Sequence, residues 1–180
     1  CTRQALKKLK ELDMVPMLDH QYAHLAQPED GCMVGSFSKL LDQCDIILTI
    51  GGDGTILHAV QASLHTGKPL LGINTGRLGF LTQLESNELD KLELLRQGSY
   101  GLLHRMMLEI SLIGEGKEER YYALNDLVIT RGGSDRLVEM DISCQGKPVA
   151  RHRADGTIFS TPTGSSAYNL SAGGSIVDPT

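Results

Sequence analysis

The stretch IILTIGGDGTI, residues 46–56, decides the fold. Its first five residues form an apolar run typical of a buried strand, and this run leads directly into the turn Gly51-Gly52-Asp53-Gly54-Thr55. Because glycine lacks a Cβ, the backbone N–H groups of such a turn can approach a polyphosphate closely. A carboxylate among these donors would repel phosphate unless it binds a metal or takes a proton from an attacking hydroxyl. We therefore predict a phosphate-transfer site that uses Asp53, the alternative being a plain strand-to-helix connection.

The sequence on both sides of this turn alternates between strand and helix patterns, which predicts an open parallel α/β sheet. A composition shift near residue 98 marks a boundary, giving an α/β domain over 1–98 and a β-rich, sandwich-like domain over 99–180. In the second domain, long strand-like runs joined by glycine turns favour antiparallel pairing. The predicted elements of the first domain are a helix near 5–12, a strand at 15–18, a loop at 28–35, a helix at 36–43, a strand at 45–50, a helix at 55–65, a strand at 69–74 and a helix near 86–97.

Composition excludes several classes of function. The chain has 180 residues, 41% of them hydrophobic, and a net charge of -5, so it shows neither the signature of disorder nor a basic footprint for nucleic acid. No apolar stretch is nearly as long as a membrane-spanning helix, which needs about 18 residues. The four cysteines lack CxxC spacing, which favours reduced thiols and a cytoplasmic protein. The chain starts at Cys1 and stops soon after a glycine-rich segment, so we expect a fragment of a longer protein.

A second polar loop, Asn74-Thr75-Gly76-Arg77-Leu78-Gly79-Phe80-Leu81, follows the strand predicted at 69–74. Ligands of open parallel sheets bind outside the carboxyl ends of the strands, where both glycine loops are expected to lie. Phe80 has two open interpretations, stacking on a base or ordinary core packing.

Two further segments carry polar groups that need partners. Asn125-Asp126 interrupts an apolar run, and these residues either cap a turn or face a ligand. Adjacent residues of a strand point to opposite faces, so both can face one ligand only at a bulge or a strand end. Arg153 to Leu170 holds a hydroxyl-rich turn before a predicted helix, where Ser and Thr either bind ribose and phosphate oxygens or act as helix caps. His20 and His24 have the spacing of a metal pair but no third ligand nearby, so no protein metal site is predicted.

Taken together, the GGDGT turn, the NTGRLGFL loop, Asn125-Asp126 and the segment 155–174 with TPTGSSAYNLSAGG resemble the NAD kinase family, in that order and over residues 36–180. The resemblance implies transfer of the terminal phosphoryl group of ATP or polyphosphate to the 2′-hydroxyl of the adenosine ribose of NAD, giving NADP. It also implies a divalent metal, normally Mg²⁺, a β-sandwich second half, and a homo-oligomer, either a dimer or a tetramer.

The resemblance assigns roles residue by residue. Asp53 would be the catalytic carboxylate, and Phe80 would border the adenine. Asn125, Asp126 and Asp155 would hold the nicotinamide-side ribose and amide. The remaining nucleotide-binding residues would be Gly51, Gly52, Gly54 and Thr55 at the donor phosphates, Asn74, Gly76 and Arg77 in the second loop, and Arg153, Thr163, Ser166, Ala167 and Tyr168 at the NAD pocket.

The sequence departs from the family pattern at a few points. Asp126 replaces the usual Glu, and Ser166 stands where Thr is common but keeps the hydroxyl. The family's first strand would lie upstream of Cys1, and its last strands beyond Thr180. Two other functions remain open from the sequence: a lipid kinase of the diacylglycerol or sphingosine type, which shares the glycine turn, and a nucleotide-binding module without catalysis.

Overall fold

The computed structural model of the chain describes residues 1–76 and 79–179, which divide into two compact units. Unit 1 spans Cys1–Leu102 and unit 2 spans Leu103–Thr180. The division into domains at residues 98 and 99, made from composition, stays a prediction. Within the described ranges, no helix has the length and apolar character needed to cross a bilayer.

Unit 1 alternates helices with short parallel strands. Its elements are α1 (Thr2–Glu11), β1 (Met17–Asp19), β2 (Met33–Gly35), α2 (Phe37–Gln43), β3 (Ile47–Gly51), α3 (Asp53–Ser63), β4 (Leu70–Asn74), β5 (Leu84–Glu85) and α4 (Glu93–Arg96), with 3-10 helices at His20–Leu25, Pro28–Asp30 and Leu89–Leu92. β1 pairs with β2, and β3, β4 and β5 form a second sheet in that order, all in parallel. The predicted α/β class with parallel strands is confirmed.

The core of unit 1 comes from apolar faces that the sequence period predicts. Ala5, Leu6 and Leu9 are buried on one face of α1, Ile56 is buried on α3, and Ile73 of β4 is fully buried. α1, α2 and the residues around β1 and β3 also line a cavity of about 630 Å³.

Three local predictions needed correction. The segment 28–35 is not a simple loop, because Met33–Gly35 pairs with β1 and a 3-10 turn precedes it. The helix expected at 55–65 begins at Asp53 and ends at Ser63, with Gly67 at φ +65° just after it. The helix expected near 86–97 is a 3-10 turn followed by the single turn of α4. Pairing with a distant strand and helix capping decide these boundaries, and neither is encoded in the local apolar period.

Unit 2 is β-rich. It contains β6 (Leu108–Gly114), β7 (Lys117–Ala123), β8 (Asp126–Thr130), β9 (Val138–Cys144), β10 (Lys147–Ala154) and β11 (Gly156–Ser160), then a 3-10 helix at Thr163–Ser166 and α5 (Tyr168–Ser171). The strands form three antiparallel pairs, β6 with β7, β8 with β11 and β9 with β10. Two of these pairs are hairpins whose turns, Glu115-Gly116 and Gln145-Gly146, have positive φ at both residues, as tight hairpins require. The predicted antiparallel β-rich half is confirmed.

Candidate active site

The glycine turn joins β3 directly to α3. Gly51 is the last residue of β3, Gly52 precedes the helix, and Asp53 is the first helical residue. A Cβ on Gly51 would lie 2.2 Å from the Thr55 Oγ1 atom, so a larger residue here would displace the Thr55 side chain. The first bond inside the helix runs from the Thr55 N–H to the Gly52 carbonyl, so the N–H groups before Thr55 have no acceptor within the helix. The turn thus presents backbone donors at the positive end of the helix dipole, as a phosphate site requires.

The Asp53 carboxylate is held by backbone N–H groups from the second loop. Its Oδ2 atom accepts a hydrogen bond from the Phe80 N–H at 2.9 Å, and its Oδ1 atom accepts one from the Leu81 N–H at 3.0 Å. Asp53 is half-buried, and Leu81 is buried. The two glycine loops that the sequence places at the same edge of the sheet therefore meet at this carboxylate.

The loop after β4 starts from a buried amide. Asn74 lies opposite Gly51 in the strand register, and the Thr75 N–H donates to the Gly51 carbonyl at 3.1 Å. The Asn74 side chain is fully buried, donates through Nδ2 to both carboxylate oxygens of Glu85 at 3.1 Å, and accepts the Gly76 N–H through Oδ1 at 3.1 Å. The donors and the acceptor of this amide are thus engaged within the protein, and its predicted ligand contact stays a prediction.

Three other residues of this loop were predicted to contact the nucleotide: Gly76, Arg77 and Phe80. The side chain of Phe80 is 75% exposed, which rules out the core-packing interpretation and leaves its ring available for stacking. Gly76 is exposed, and no atom of the described residues lies within 4 Å of where a Cβ would stand. Arg77, which the resemblance places at the nucleotide, lies outside the described residues.

In unit 2, Asn125 and Asp126 lie at a strand end. β7 ends at Ala123 and β8 begins at Asp126, so the two polar residues are not confined to opposite faces of one regular strand. The Asn125 carbonyl accepts the Thr161 N–H at 2.8 Å. Its side-chain Oδ1 atom is buried and has no partner among the described residues, and burial raises the pKa of the Asp126 carboxyl. A buried acceptor without a donor is a group that a ligand N–H or hydroxyl can satisfy.

The hydroxyl-rich turn after β11 is largely bonded to its own surroundings. Thr161 Oγ1 donates to the Leu124 carbonyl at 2.6 Å and accepts the Gly164 N–H at 3.0 Å. Ser165 Oγ donates to the Pro162 carbonyl at 2.7 Å and accepts the Val177 N–H at 2.9 Å. These two hydroxyls therefore stabilise the turn.

The predicted residues that follow in this turn are less constrained. Thr163 is buried, and its Oγ1 accepts a hydrogen bond from the Arg105 guanidinium at 3.2 Å. Ser166 and Ala167 are half-buried, and the Tyr168 side chain is 53% exposed. In the described part of the chain, the Ser166 hydroxyl has no hydrogen bond. Their roles at a NAD pocket stay predictions.

Arg153 and Asp155 lie near the β10 to β11 connection. Arg153 is exposed on β10, opposite Glu139. The Asp155 carboxylate is 78% exposed and forms an ion pair with Arg131 at 3.0 Å. A ligand that bound to Asp155 would compete with this guanidinium or share the carboxylate with it.

The sequence did not predict three residues that bond the predicted site residues. Arg105 and Arg131 bond Thr163 and Asp155, and Glu85 fixes Asn74. Arg105 offered a signal, because it is a lone cation within the apolar run 102–113. Glu85 and Arg131 offered none, since their neighbours come from distant positions in the chain.

Comparison with known proteins identifies both halves of the chain. Residues 32–100 match the family model described as the ATP-NAD kinase N-terminal domain, and residues 124–180 match the ATP-NAD kinase C-terminal domain. The NAD kinase of Symbiobacterium thermophilum is 49% identical over 140 residues, covering 77% of this chain and 50% of that protein. The NAD kinase of Neisseria gonorrhoeae is 43% identical over 153 residues, covering 84% of this chain and 52% of that protein. The chain spans about half the length of these curated relatives.

Comparison with solved structures also finds kinases of NAD and NADH. Yeast NADH kinase complexed with NADH superimposes with a TM-score of 0.85 at 30% identity, over 99% of this chain and 59% of the yeast chain. An NAD kinase from Archaeoglobus fulgidus in complex with ATP has a TM-score of 0.62 at 29% identity, over 92% of this chain and 67% of that chain. Sequence motifs, family models and fold agree, and the chain belongs to the NAD kinase family.

Proposed function

We propose that the whole protein represented by this chain transfers the terminal phosphoryl group of ATP, or of polyphosphate, to the 2′-hydroxyl of the adenosine ribose of NAD, giving NADP. Family membership supports this activity, as do the relatives named as NAD kinases and the solved relatives in complex with NADH and with ATP. The proposal concerns the whole protein, because the chain covers about half of those relatives.

The observation that carries the proposal is the position of Asp53. It stands at the N-terminus of α3, inside a turn whose N–H groups suit phosphate, and its two oxygens are already oriented by N–H donors. An ionised carboxylate offers about four acceptor positions, so two N–H donors leave room for a ribose hydroxyl. Asp53 would then take the proton of the attacking hydroxyl, while the turn aligns the donor phosphates.

Phe80 supports a purine beside this turn. Its ring is exposed, although its own N–H is bonded to Asp53. An exposed aromatic ring fixed next to a phosphate site suits stacking on the adenine base. Gly51, Gly52, Gly54 and Thr55 would contact the donor phosphates in the same proposal.

The residues present fit a divalent cation that arrives with the phosphates. Over residues 1–76 and 79–179, no group of three or more His, Cys, Asp or Glu side chains is arranged to hold a metal. Mg²⁺ normally keeps several waters and can be held mainly by substrate phosphates at such a turn, which leaves the Asp53 carboxylate to the ribose hydroxyl. Bound there, Mg²⁺ would neutralise charge on the donor phosphates.

In unit 2, the unsatisfied Asn125 Oδ1 atom supports a role in holding a nucleoside. The same proposal gives Asp126 and Asp155 the nicotinamide-side ribose and amide, and Thr163, Ser166, Ala167 and Tyr168 the wall of the NAD pocket. We also propose that the protein forms a homo-oligomer and is cytoplasmic. The four unpaired cysteines support the cytoplasmic location.

The test is an assay on this chain and on a version extended to the length of its relatives. Each is incubated with NAD, ATP and Mg²⁺, and NADP is detected with an NADP-specific dehydrogenase. Polyphosphate replaces ATP in one arm, NADH replaces NAD in another, and a lipid acceptor replaces NAD in a third. Phosphorylation of NAD or NADH by the extended protein supports the proposal. Nucleotide binding without phosphorylation, or phosphorylation of the lipid alone, contradicts it.

A further inference from the structure

The segment Gly79-Phe80-Leu81 contacts Asp53 through its backbone. The Phe80 and Leu81 N–H groups each bond one carboxylate oxygen, at 2.9 and 3.0 Å. This pair of bonds sets both the position and the rotation of the carboxylate plane. No side chain is involved on the donor side, so the arrangement depends on how closely the backbone can approach.

Gly79 is what allows this approach. A Cβ at this position would lie 2.3 Å from the Asp53 Oδ1 atom and 3.0 Å from its Cγ atom, both far inside van der Waals contact. It would also lie 3.2 Å from the Thr82 Oγ1 atom. These distances make the requirement for glycine one of space.

The residues after this segment are fixed to the sheet. Gln83 binds β4 twice, because its N–H donates to the Gly72 carbonyl at 3.0 Å and its Oε1 accepts the Gly72 N–H at 2.8 Å. The atom nearest to a methyl group on residue 79 would be the end of the Asp53 side chain, so we expect this side chain to be displaced.

We propose that Gly79 is a positioning residue for the phosphoryl transfer, acting through Asp53: its missing side chain lets two backbone N–H groups orient the catalytic carboxylate. This inference rests on the proposed function, since the reaction it serves is the NAD kinase reaction. The Phe80 and Leu81 N–H groups of the second loop then align the Asp53 carboxylate. Displacement of a reacting group by about 1 Å lowers turnover by up to about 100-fold.

The test is a double-mutant cycle in the extended enzyme between Gly79→Ala and Asp53→Ala. In the wild-type background, Gly79→Ala is expected to lower kcat by about 10- to 100-fold while changing the KM for ATP by less than about threefold. In the Asp53→Ala background, the same substitution is expected to change kcat by less than about twofold, because the Asp53 Oδ1 and Cγ atoms, which lie nearest to the new Cβ, are gone. Gly101→Ala is the matched control, since none of the atoms in the described ranges lies within 4 Å of its Cβ position.

A second readout does not depend on activity. Amide hydrogen exchange of Phe80 and Leu81 should accelerate in both Gly79→Ala and Asp53→Ala and stay unchanged in Gly101→Ala. Equal losses of kcat in the two backgrounds, near-wild-type turnover of Gly79→Ala, or unchanged exchange at Phe80 and Leu81 would each overturn the inference. If wild-type enzyme forms no NADP, the proposed function fails, and the exchange rates alone decide whether Gly79 positions Asp53.

Discussion

The glycine turn of unit 1 and the hydroxyl-rich turn of unit 2 both follow a strand and precede a helix, yet they use their polar groups in opposite ways. At the first, Asp53 is held by donors from another loop, and the N–H groups of Gly52, Asp53 and Gly54 have no acceptor among the described residues. At the second, Thr161 and Ser165 bond carbonyls and N–H groups of their own unit. The density of polar residues in a sequence therefore does not measure how many can face a ligand.

The largest expected effect comes from a substitution in the glycine turn of unit 1. Asp53→Asn should lower kcat of the extended enzyme by about 10² to 10⁴, because the amide cannot take the hydroxyl proton. Steady-state NADP formation measures the loss. Asparagine also offers one acceptor where Asp53 uses two, so one of the Phe80 and Leu81 N–H groups will face an NH₂ group.

Thermal unfolding and ATP binding must therefore be measured on the same variant. A loss of kcat with both properties largely retained assigns the effect to chemistry. Near-wild-type turnover would show that Asp53 is not the general base.

The second prediction concerns packing at the turn of unit 2. A Cβ on Gly164 would lie 2.1 Å from the Asn125 carbonyl oxygen, and the backbone cannot move away as a flexible side chain would. Gly164→Ala should destabilise unit 2 by about 3 kcal/mol, at the upper end for an overpacked site, which would lower its Tm by roughly 12 to 24 °C. Gly133→Ala, with open space around its Cβ position, is the control. An equal Tm for the two variants would mean that Gly164 is not closely packed.

The third prediction sharpens the comparison within the hydroxyl-rich turn. Thr161→Val keeps the shape of the side chain but leaves the buried Leu124 carbonyl and Gly164 N–H without their partner. The cost should be about 2 kcal/mol of folding free energy, measured by urea unfolding, because a buried polar group without a partner keeps its full desolvation penalty.

Ser166→Ala is the matched variant for Thr161→Val, since the Ser166 hydroxyl has no hydrogen bond within the described ranges. It should leave stability within about 0.5 kcal/mol of wild type and raise the KM for NAD by about three- to tenfold. If Ser166→Ala destabilises the protein and leaves the KM unchanged, the distinction between structural and ligand-facing hydroxyls fails.

The sequence predicted the fold class and the meeting of the two glycine loops because both follow from local patterns. Apolar runs identify β3 and β4, and parallel strands bring their carboxyl ends to one edge. It could not predict that Asn74 would be fully buried and bonded to Glu85, since Glu85 reaches it through the short strand β5. Nor could it separate Thr161 from Ser166, because only packing determines which hydroxyl meets a carbonyl.

The smallest expected effect compares two carboxylates of unit 2 as a function of pH. Burial raises the pKa of Asp126, whereas the hydrogen bond from Arg151 lowers the pKa of Asp141. A raised pKa in the folded state means that ionisation of Asp126 opposes folding at pH 7, and this penalty disappears as pH falls below the ordinary value of about 4. The lowered pKa of Asp141 has the opposite sign, so its contribution stabilises above that value and is lost as pH falls.

Asp126→Asn should therefore raise Tm slightly at pH 7, and Asp141→Asn should lower it slightly. Both differences should shrink toward zero as the pH falls below about 4, which thermal unfolding from pH 3 to pH 8 would measure. The Asp141 effect stays small because the pair with Arg151 is exposed and screened by salt. A lower Tm of Asp126→Asn at pH 7 would show that the charge of Asp126 is stabilised by a partner in the folded protein, so that burial would not control its ionisation.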